Sequence, residues 1–210
     1  MKVLLVNGSP HSKGCTYTAL AEVATELEKA GVSTEIFNIG NKPVRGCIAC
    51  QKCKNANATG CIFDDDPANQ IINKMIESDG LIVGTPVYYS SPNGALISIL
   101  DRAFYAGGKN FIYKPAAAVV SARRGGTTSS LDVINKYFNI SKMPVVSSQY
   151  WNMVHGMTPD EVRQDYEGLQ IMRVLGRNMA WLLKCIEAGK VSGINYPDPE
   201  EERISTSFIR

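Results

Sequence analysis

The chain has no long apolar run. At the N-terminus only Val3 to Val6 are apolar in succession, too few for the core of a signal segment or a membrane span. No other stretch approaches the ~18 apolar residues that a transmembrane helix requires. Runs of like charge are also missing: 22 basic and 20 acidic residues leave a net charge of +2. That removes the electrostatic case for a nucleic-acid or anionic-membrane partner. Repeats, low-complexity tracts and linkers are absent, as are the G-K-[ST] ending of a P-loop and a G-x-G-x-x-G fingerprint. These absences lead to the expectation of one cytosolic domain spanning residues 1–210. In that compartment clustered thiols stay reduced, and serve more often as metal ligands or redox groups than as structural disulfides.

What is present is ordinary for a globular α/β domain: 44% hydrophobic and 20% charged residues over 210 positions. Strand and helix signals alternate. Val3–Asn7 reads as a buried strand, and Thr16–Ala30, with Leu20, Val23, Ala24 and Leu27 on one face, as a helix. VSTEIFNI is a second strand; a cysteine-rich insert at 44–66 follows it, then a helix that Asp66 caps, with Pro67 in its first turn. GLIVG (Gly80–Gly84), AAAVVSA and MPVVSSQYW supply strands three to five, separated by helices over Ala95–Tyr105 and Ser129–Phe138. Thr158, Pro159, Asp160 and Glu161 start a last helix predicted to run to Glu187. Its predicted core face is Val162, Tyr166, Leu169, Leu175, Met179, Leu182 and Ile186, with Cys185 read as a core residue. The polar tail after Gly189 is expected at the surface or against a neighbouring subunit. Short buried strands separated by helices imply a parallel sheet covered on both faces.

Open parallel sheets bind ligands at the carboxyl ends of their strands, near the switch in strand order. Three loops fall there. The first, GSPHSKGCT, places Gly8, Ser9, His11, Ser12, Gly14, Cys15 and Thr16 before a helix start, the make-up of an anion site or of a plain turn. The second, TPVYYSSPNG, brings Pro86, Val87, Tyr88, Tyr89, Ser90 and Asn93. Flat apolar walls with nearby amides suit a planar heteroaromatic ligand, unless both tyrosines pack into the core or an interface. The third, SARRGGTT, brings Ala122, Arg123, Arg124, Gly125 and Gly126, whose glycines permit close backbone approach.

Together with the cysteine run ending in CIFDDD and with SQYWNMVHG, these loops resemble the NADPH-dependent FMN reductase group of the flavodoxin-like superfamily, and most of all its iron–sulfur flavoprotein branch. The resemblance spans Met1 to about Gly156 in the family's order and spacing. It implies a three-layer flavodoxin-like fold with a five-stranded parallel sheet of order 2-1-3-4-5. FMN would lie across the switch point, in preference to FAD. Ser9, His11, Ser12, Gly14, Cys15 and Thr16 would hold its phosphate. Pro86, Val87, Tyr88, Tyr89, Ser90 and Asn93 would border the ring, and Ala122, Arg123, Arg124, Gly125 and Gly126 would close the other side. Cys15 departs from the asparagine or serine usual in the family.

The implied activity is NAD(P)H-dependent electron transfer through FMN to quinone, azo, nitro, oxygen or flavin acceptors. The alternatives are an electron carrier fed by ferredoxin, with no small-molecule substrate of its own, and a ligand-binding module without turnover. Hydride transfer to a flavin needs stacking and orientation but no protein acid or base, so no catalytic residue is assigned. Arg123 or Arg124 would supply a cation near the flavin N1–C2=O edge. His155 is assigned a surface or interface role ahead of substrate contact. Relatives are often dimers or tetramers.

Cys47, Cys50, Cys53 and Cys61 are spaced C-x2-C-x2-C-x7-C. Three cysteines at intervals of three with a fourth further on can wrap a [4Fe–4S] cubane. Zinc is the rival, although structural zinc sites usually split into two C-x2-C pairs. Free thiols or a disulfide are the third possibility. Because the insert leaves strand two at the carboxyl edge, a cluster is expected beside the Tyr88 loop.

Overall fold

The structure is a computed structural model describing residues 1–197, 201, 204–206 and 208. Its first strand dictates a two-sided architecture. In β1 (Lys2–Asn7) every residue after Lys2 is buried, Leu4 and Val6 in the core on one face and Val3 and Leu5 in the core on the other. A strand apolar on both sides is stable only between two layers of helices. The chain continues through α1 (Cys15–Lys29), β2 (Ser33–Asn38), α2 (Ala68–Ile76), β3 (Gly80–Tyr88), β4 (Ser91–Pro92) and α3 (Gly94–Gly107). Then come β5 (Ala116–Ala122), α4 (Thr127–Ile140), β6 (Met153–His155), α5 (Pro159–Gln164) and α6 (Tyr166–Val191). The sheet order is β2-β1-β3-β5-β6, all parallel, and β4 adds a short antiparallel pairing at the end of β3. Counting the parallel strands alone, this is the expected order 2-1-3-4-5. Helices α1 and α6 cover one face and α2, α3 and α4 the other.

Three elements differ from expectation. The third strand runs four residues past Gly84, and Tyr89 and Ser90 turn it back into β4. Both residues lie in the left-handed region, φ 50° and 58°, as the central pair of a tight two-residue hairpin turn requires.

The strand predicted at MPVVSSQYW is not continuous. Val145 makes one bridge to Ala116, and pairing resumes only where Met153 meets Val120. Residues 146–152 thus face residues 117–119, seven against three, and the chain must bulge. The bulge is held by α6, whose Asn178 amide donates to the Ser147 carbonyl at 2.8 Å while the Ser148 hydroxyl donates to the Ile171 carbonyl at 2.7 Å.

The single helix predicted from Thr158 to Glu187 breaks at Asp165, whose backbone is not helical (φ −76°, ψ 75°). Thr158 caps α5 as expected, accepting from the Glu161 N–H. Asp165 then caps α6 by accepting from the Gly168 N–H at 2.9 Å, and its other oxygen accepts from the His155 N–H at 2.7 Å. The break resets the helical phase. The buried stripe is Ile171, Met172, Leu175, Met179 and Leu183, whereas Tyr166 is exposed and Cys185 lies on the surface instead of in the core. The start of the tail returns to the body, where Tyr196 stacks on Tyr113 at 5.0 Å. Most of the tail beyond residue 197 lies outside the described residues.

Candidate functional site

At the end of β1 the buried Asn7 organises the first loop from within. Its Oδ1 accepts from the Ser9 N–H at 3.1 Å, and its amide donates to the His11 and Ser12 carbonyls, both at 3.4 Å. Asn38, at the end of β2, donates to the Ser9 carbonyl at 2.9 Å. The Ser9 hydroxyl accepts from the His11 N–H at 3.1 Å, which leaves its own proton free to donate. The Thr16 hydroxyl is buried and shares a 2.7 Å hydrogen bond with Ser121 of β5.

Helix α1 follows Gly14 at its cap position, with no side-chain cap and no acid in its first turn. The first N–H groups of a helix have no intrahelical acceptor, and here no side chain of the helix compensates the positive end of its dipole. His11, Ser12, Gly14 and Cys15 surround that end, His11 and Ser12 exposed. The Cys15 thiol donates to the Gly156 carbonyl at 3.7 Å, and burial pushes it above its ordinary pKa. This end of the sheet fits a phosphate.

The second loop is locked to the first. Asn93 caps α3 by accepting from the Ala95 N–H at 2.9 Å, and its amide donates to the Gly8 carbonyl at 2.7 Å. The Thr85 hydroxyl accepts from the Asn93 N–H at 3.0 Å. The Asn93 side chain thus ties the second loop to the first. Pro86 and Val87 are half-buried, while Tyr88 is 44% exposed and Tyr89 fully so. Neither tyrosine packs into the core of this chain.

The third loop closes against that hairpin. Gly126 has φ +92°, and a Cβ there would stand 2.7 Å from the Ser90 Cα and 2.8 Å from Val87 Cγ1. The Ser129 hydroxyl donates to the Ser90 carbonyl at 2.7 Å. Ala122 is buried and Gly125 exposed; Arg123 and Arg124 are exposed and pair with no carboxylate among the described residues. His155 is half-buried, its Nδ1 3.9 Å from Asp165.

The cysteine insert is an ordered loop with one short 3-10 turn at Lys52–Lys54. Cys47, Cys50, Cys53 and Cys61 line one cleft with Arg102, Tyr105 and Ala106 of α3. Ala49 and Gln51 between them take left-handed conformations, φ 53° and 57°. For residues other than glycine such backbone carries a steric cost, and it concentrates where geometry is imposed for a purpose. The Ala49 N–H donates to the Cys47 sulfur at 3.4 Å. Burial pushes the Cys53 thiol up, and the neighbouring Cys61 and Cys50 push the same way.

Arg102, Asp66 and Lys54 hold this loop to the body. The Arg102 guanidinium, 1% exposed, pairs with the buried Asp66 carboxylate and donates to the Arg45 carbonyl at 3.2 Å and the Phe63 carbonyl at 3.1 Å. Its Nε–H donates to the Cys61 sulfur at 3.2 Å. Burial works against its charge, but the bonds to Asp66 and Cys61 prevail and hold its pKa above the ordinary value. Lys54 donates to the Tyr105 carbonyl at 2.6 Å and lies 4.0 Å over that ring.

The cleft is not beside the Tyr88 loop as expected. Arg102 lies eight residues past Gly94, ~12 Å along the helix at 1.5 Å per residue, and no residue of the Tyr88 loop lines the cleft. Docking on the second half of α3 carries the insert away from the carboxyl edge. Among the described residues no three Cys, His, Asp or Glu side chains converge on a single metal-ion position. A cubane uses one thiolate on each of four separate irons, so its ligands stand further apart than four around a single ion. Four thiols lining one cleft are the donor set that such a cluster uses.

Sequence reading missed Asn7, Asn38, Thr85, Ser121 and the Arg102–Asp66 pair. Asn7 had a signal, a polar residue closing a run of buried apolar ones. Arg102 had another, a charge one residue before Ala103 among the apolar positions Leu96, Ile99 and Leu100 of α3.

A doubly wound parallel sheet with an uncapped helix at its first strand and a hairpin and glycine loop closing the same edge defines a flavodoxin-like protein. The family model for NADPH-dependent FMN reductases matches residues 1–158. An iron–sulfur flavoprotein of Methanocaldococcus jannaschii is 31% identical over 198 residues, covering 89% of this chain and 100% of that protein. Among solved structures, RosB with bound 8-demethyl-8-formylriboflavin-5'-phosphate superposes with a TM-score of 0.71 at 16% identity, covering 100% of this chain and 94% of that one. An archaeal flavodoxin superposes at 0.59 and 15% identity, covering 88% and 99%. These last two carry the fold alone. The chain belongs to the NADPH-dependent FMN reductase family, and with it to the FMN-dependent oxidoreductases. No helix among the described residues is long and apolar enough to cross a membrane.

Proposed function

We propose that this chain is a two-centre redox protein that takes electrons from NAD(P)H at FMN and exchanges them singly through a [4Fe–4S] cluster. The observation that carries the reading is the common cleft of Cys47, Cys50, Cys53 and Cys61, wound by two left-handed residues and fastened by a buried arginine. The M. jannaschii relative's name supports the cluster over zinc. When bound, FMN supplies hydride acceptance and the cluster supplies one-electron exchange.

The chain's own residues bind and orient. The uncapped start of α1 and the free Ser9 hydroxyl proton take the phosphate. The hairpin at Tyr88–Ser90 and the loop at Arg123–Gly126 clasp the ring from two sides, and the exposed Arg123 and Arg124 supply positive charge at its edge. Acceptors are quinone, azo, nitro or flavin compounds, or a one-electron protein partner such as ferredoxin. The working form is a homo-oligomer in the cytosol.

Anaerobic purification with flavin, iron and sulfide counts tests the reading, together with NAD(P)H oxidation in the presence of a quinone. One FMN with about four irons and four sulfides per chain is expected. Full flavin without iron or sulfide would remove the second centre. Both centres without NAD(P)H oxidation would make the chain an electron carrier.

A further inference from the structure

The Arg102 guanidinium does more than an anchor requires. Its two Nη groups already fasten the insert, through the Arg45 carbonyl, the Phe63 carbonyl and Asp66. Its Nε–H is aimed elsewhere, at the Cys61 sulfur 3.2 Å away. A neutral thiol is a weak acceptor, whereas a thiolate accepts a charge-assisted hydrogen bond of about twice ordinary strength. The side chains of Arg102 and Asp66 are 0% and 2% exposed, so water does not screen this donor.

We infer that Arg102 is a positioning residue for the cluster and sets its reduction potential by donating Nε–H to the Cys61 thiolate. This rests on the cluster reading above. Reduction adds one electron to the iron–sulfur core and raises the negative charge on its sulfur ligands. A donor fixed on one of them stabilises the reduced state more than the oxidised one and so raises the potential. The electron comes from the flavin side, and Arg102 keeps its proton throughout. Asp66 holds the guanidinium in place: one carboxylate oxygen pairs with it, and the other accepts from the Ala68 N–H at 3.0 Å at the start of α2.

Arg102→Lys separates this role from simple anchoring. Lysine keeps a charge for Asp66 but has no planar fork and cannot serve the carbonyls and the sulfur together. The anaerobic holoprotein of the variant should retain flavin, iron and sulfide, with a more negative cluster midpoint in a redox titration followed by electron paramagnetic resonance. Loss of one charge-assisted bond corresponds to about a tenfold change in the one-electron equilibrium, or ~59 mV. Wild-type holoprotein labelled with 15N-arginine gives a second readout that needs no variant: the reduced cluster should show nitrogen coupling in pulsed resonance spectra. An unchanged midpoint in a fully loaded variant, or no arginine coupling in the wild type, overturns the inference. Wild-type protein lacking iron and sulfide would instead overturn the cluster reading, and the counts tell the two failures apart.

Discussion

Replacing Gly126 by alanine tests whether the clasp of two loops forms the flavin site. Gly126 has φ +92°, and its added methyl would stand 2.7 Å from the Ser90 Cα and 2.8 Å from Val87 Cγ1. The first neighbour is backbone and cannot rotate away. The left-handed conformation costs an L-residue about 1–2 kcal/mol, and relieving the overlap about 1–3 kcal/mol more. The expected loss is ~2–5 kcal/mol of folding stability, read by urea unfolding of the flavin-free protein. Because the shift separates the β5–α4 loop from the hairpin, FMN affinity measured by flavin fluorescence should fall as well. Gly125→Ala is the control: its Cβ would meet nothing within 4 Å, and its backbone is outside the left-handed region. It should stay within ~0.5 kcal/mol of wild type. Equal effects of the two substitutions, or unchanged FMN binding in Gly126→Ala, would refute the reasoning.

Cys50→Ser should remove the broad absorption near ~400 nm that a [4Fe–4S] centre adds to flavin, and leave FMN binding intact, because the insert docks on α3 away from the phosphate loop. Loss of both cofactors together would show that the two sites are not independent. Ser9→Ala should weaken FMN binding by about 1.5–3 kcal/mol in a fluorescence titration, the worth of one hydrogen bond to a charged group. Adding Thr16→Ala should cost less, since that hydroxyl is already shared with Ser121; no change in either variant would move the phosphate elsewhere. Glu35 accepts from Lys2, with an ion-pair distance of 2.7 Å, and from Lys74, and these bonds hold its carboxyl below the usual 4.5. Its folded pKa is depressed, so its stabilisation is complete above about pH 4.5 and disappears as the pH falls through the lowered value. Glu35→Gln should therefore be less stable than wild type at pH 7 and converge with it in acid; a constant gap down to pH 3 would contradict the linkage.

The alternation of short apolar strands with helical patterns was enough by itself to determine the layered parallel sheet, because local periodicity and burial on both faces leave few other arrangements. The loop after β1 was legible as a candidate anion site for the same local reason: turn formers and hydroxyls between a strand and a helix act through their own backbone. The spacing of the four cysteines marked them as a candidate ligand set, but not where the fold would place them. That required knowing that Lys54 and Arg102 pin the insert to the second half of α3, contacts between residues 51 and 41 positions apart in sequence. The bulge at 146–152 and the helix break at Asp165 were hidden for a related reason. Each is set by a partner on another element, α6 for the first and the end of β6 for the second. The bridge that Asn93 makes between two loops was hidden in the same way, because the Gly8 carbonyl it satisfies lies 85 residues away. Propensity and pattern are carried by near neighbours and can be read along the chain. The pairing of buried polar groups and charges is decided only when distant segments meet, since each must find its partner wherever the fold brings one.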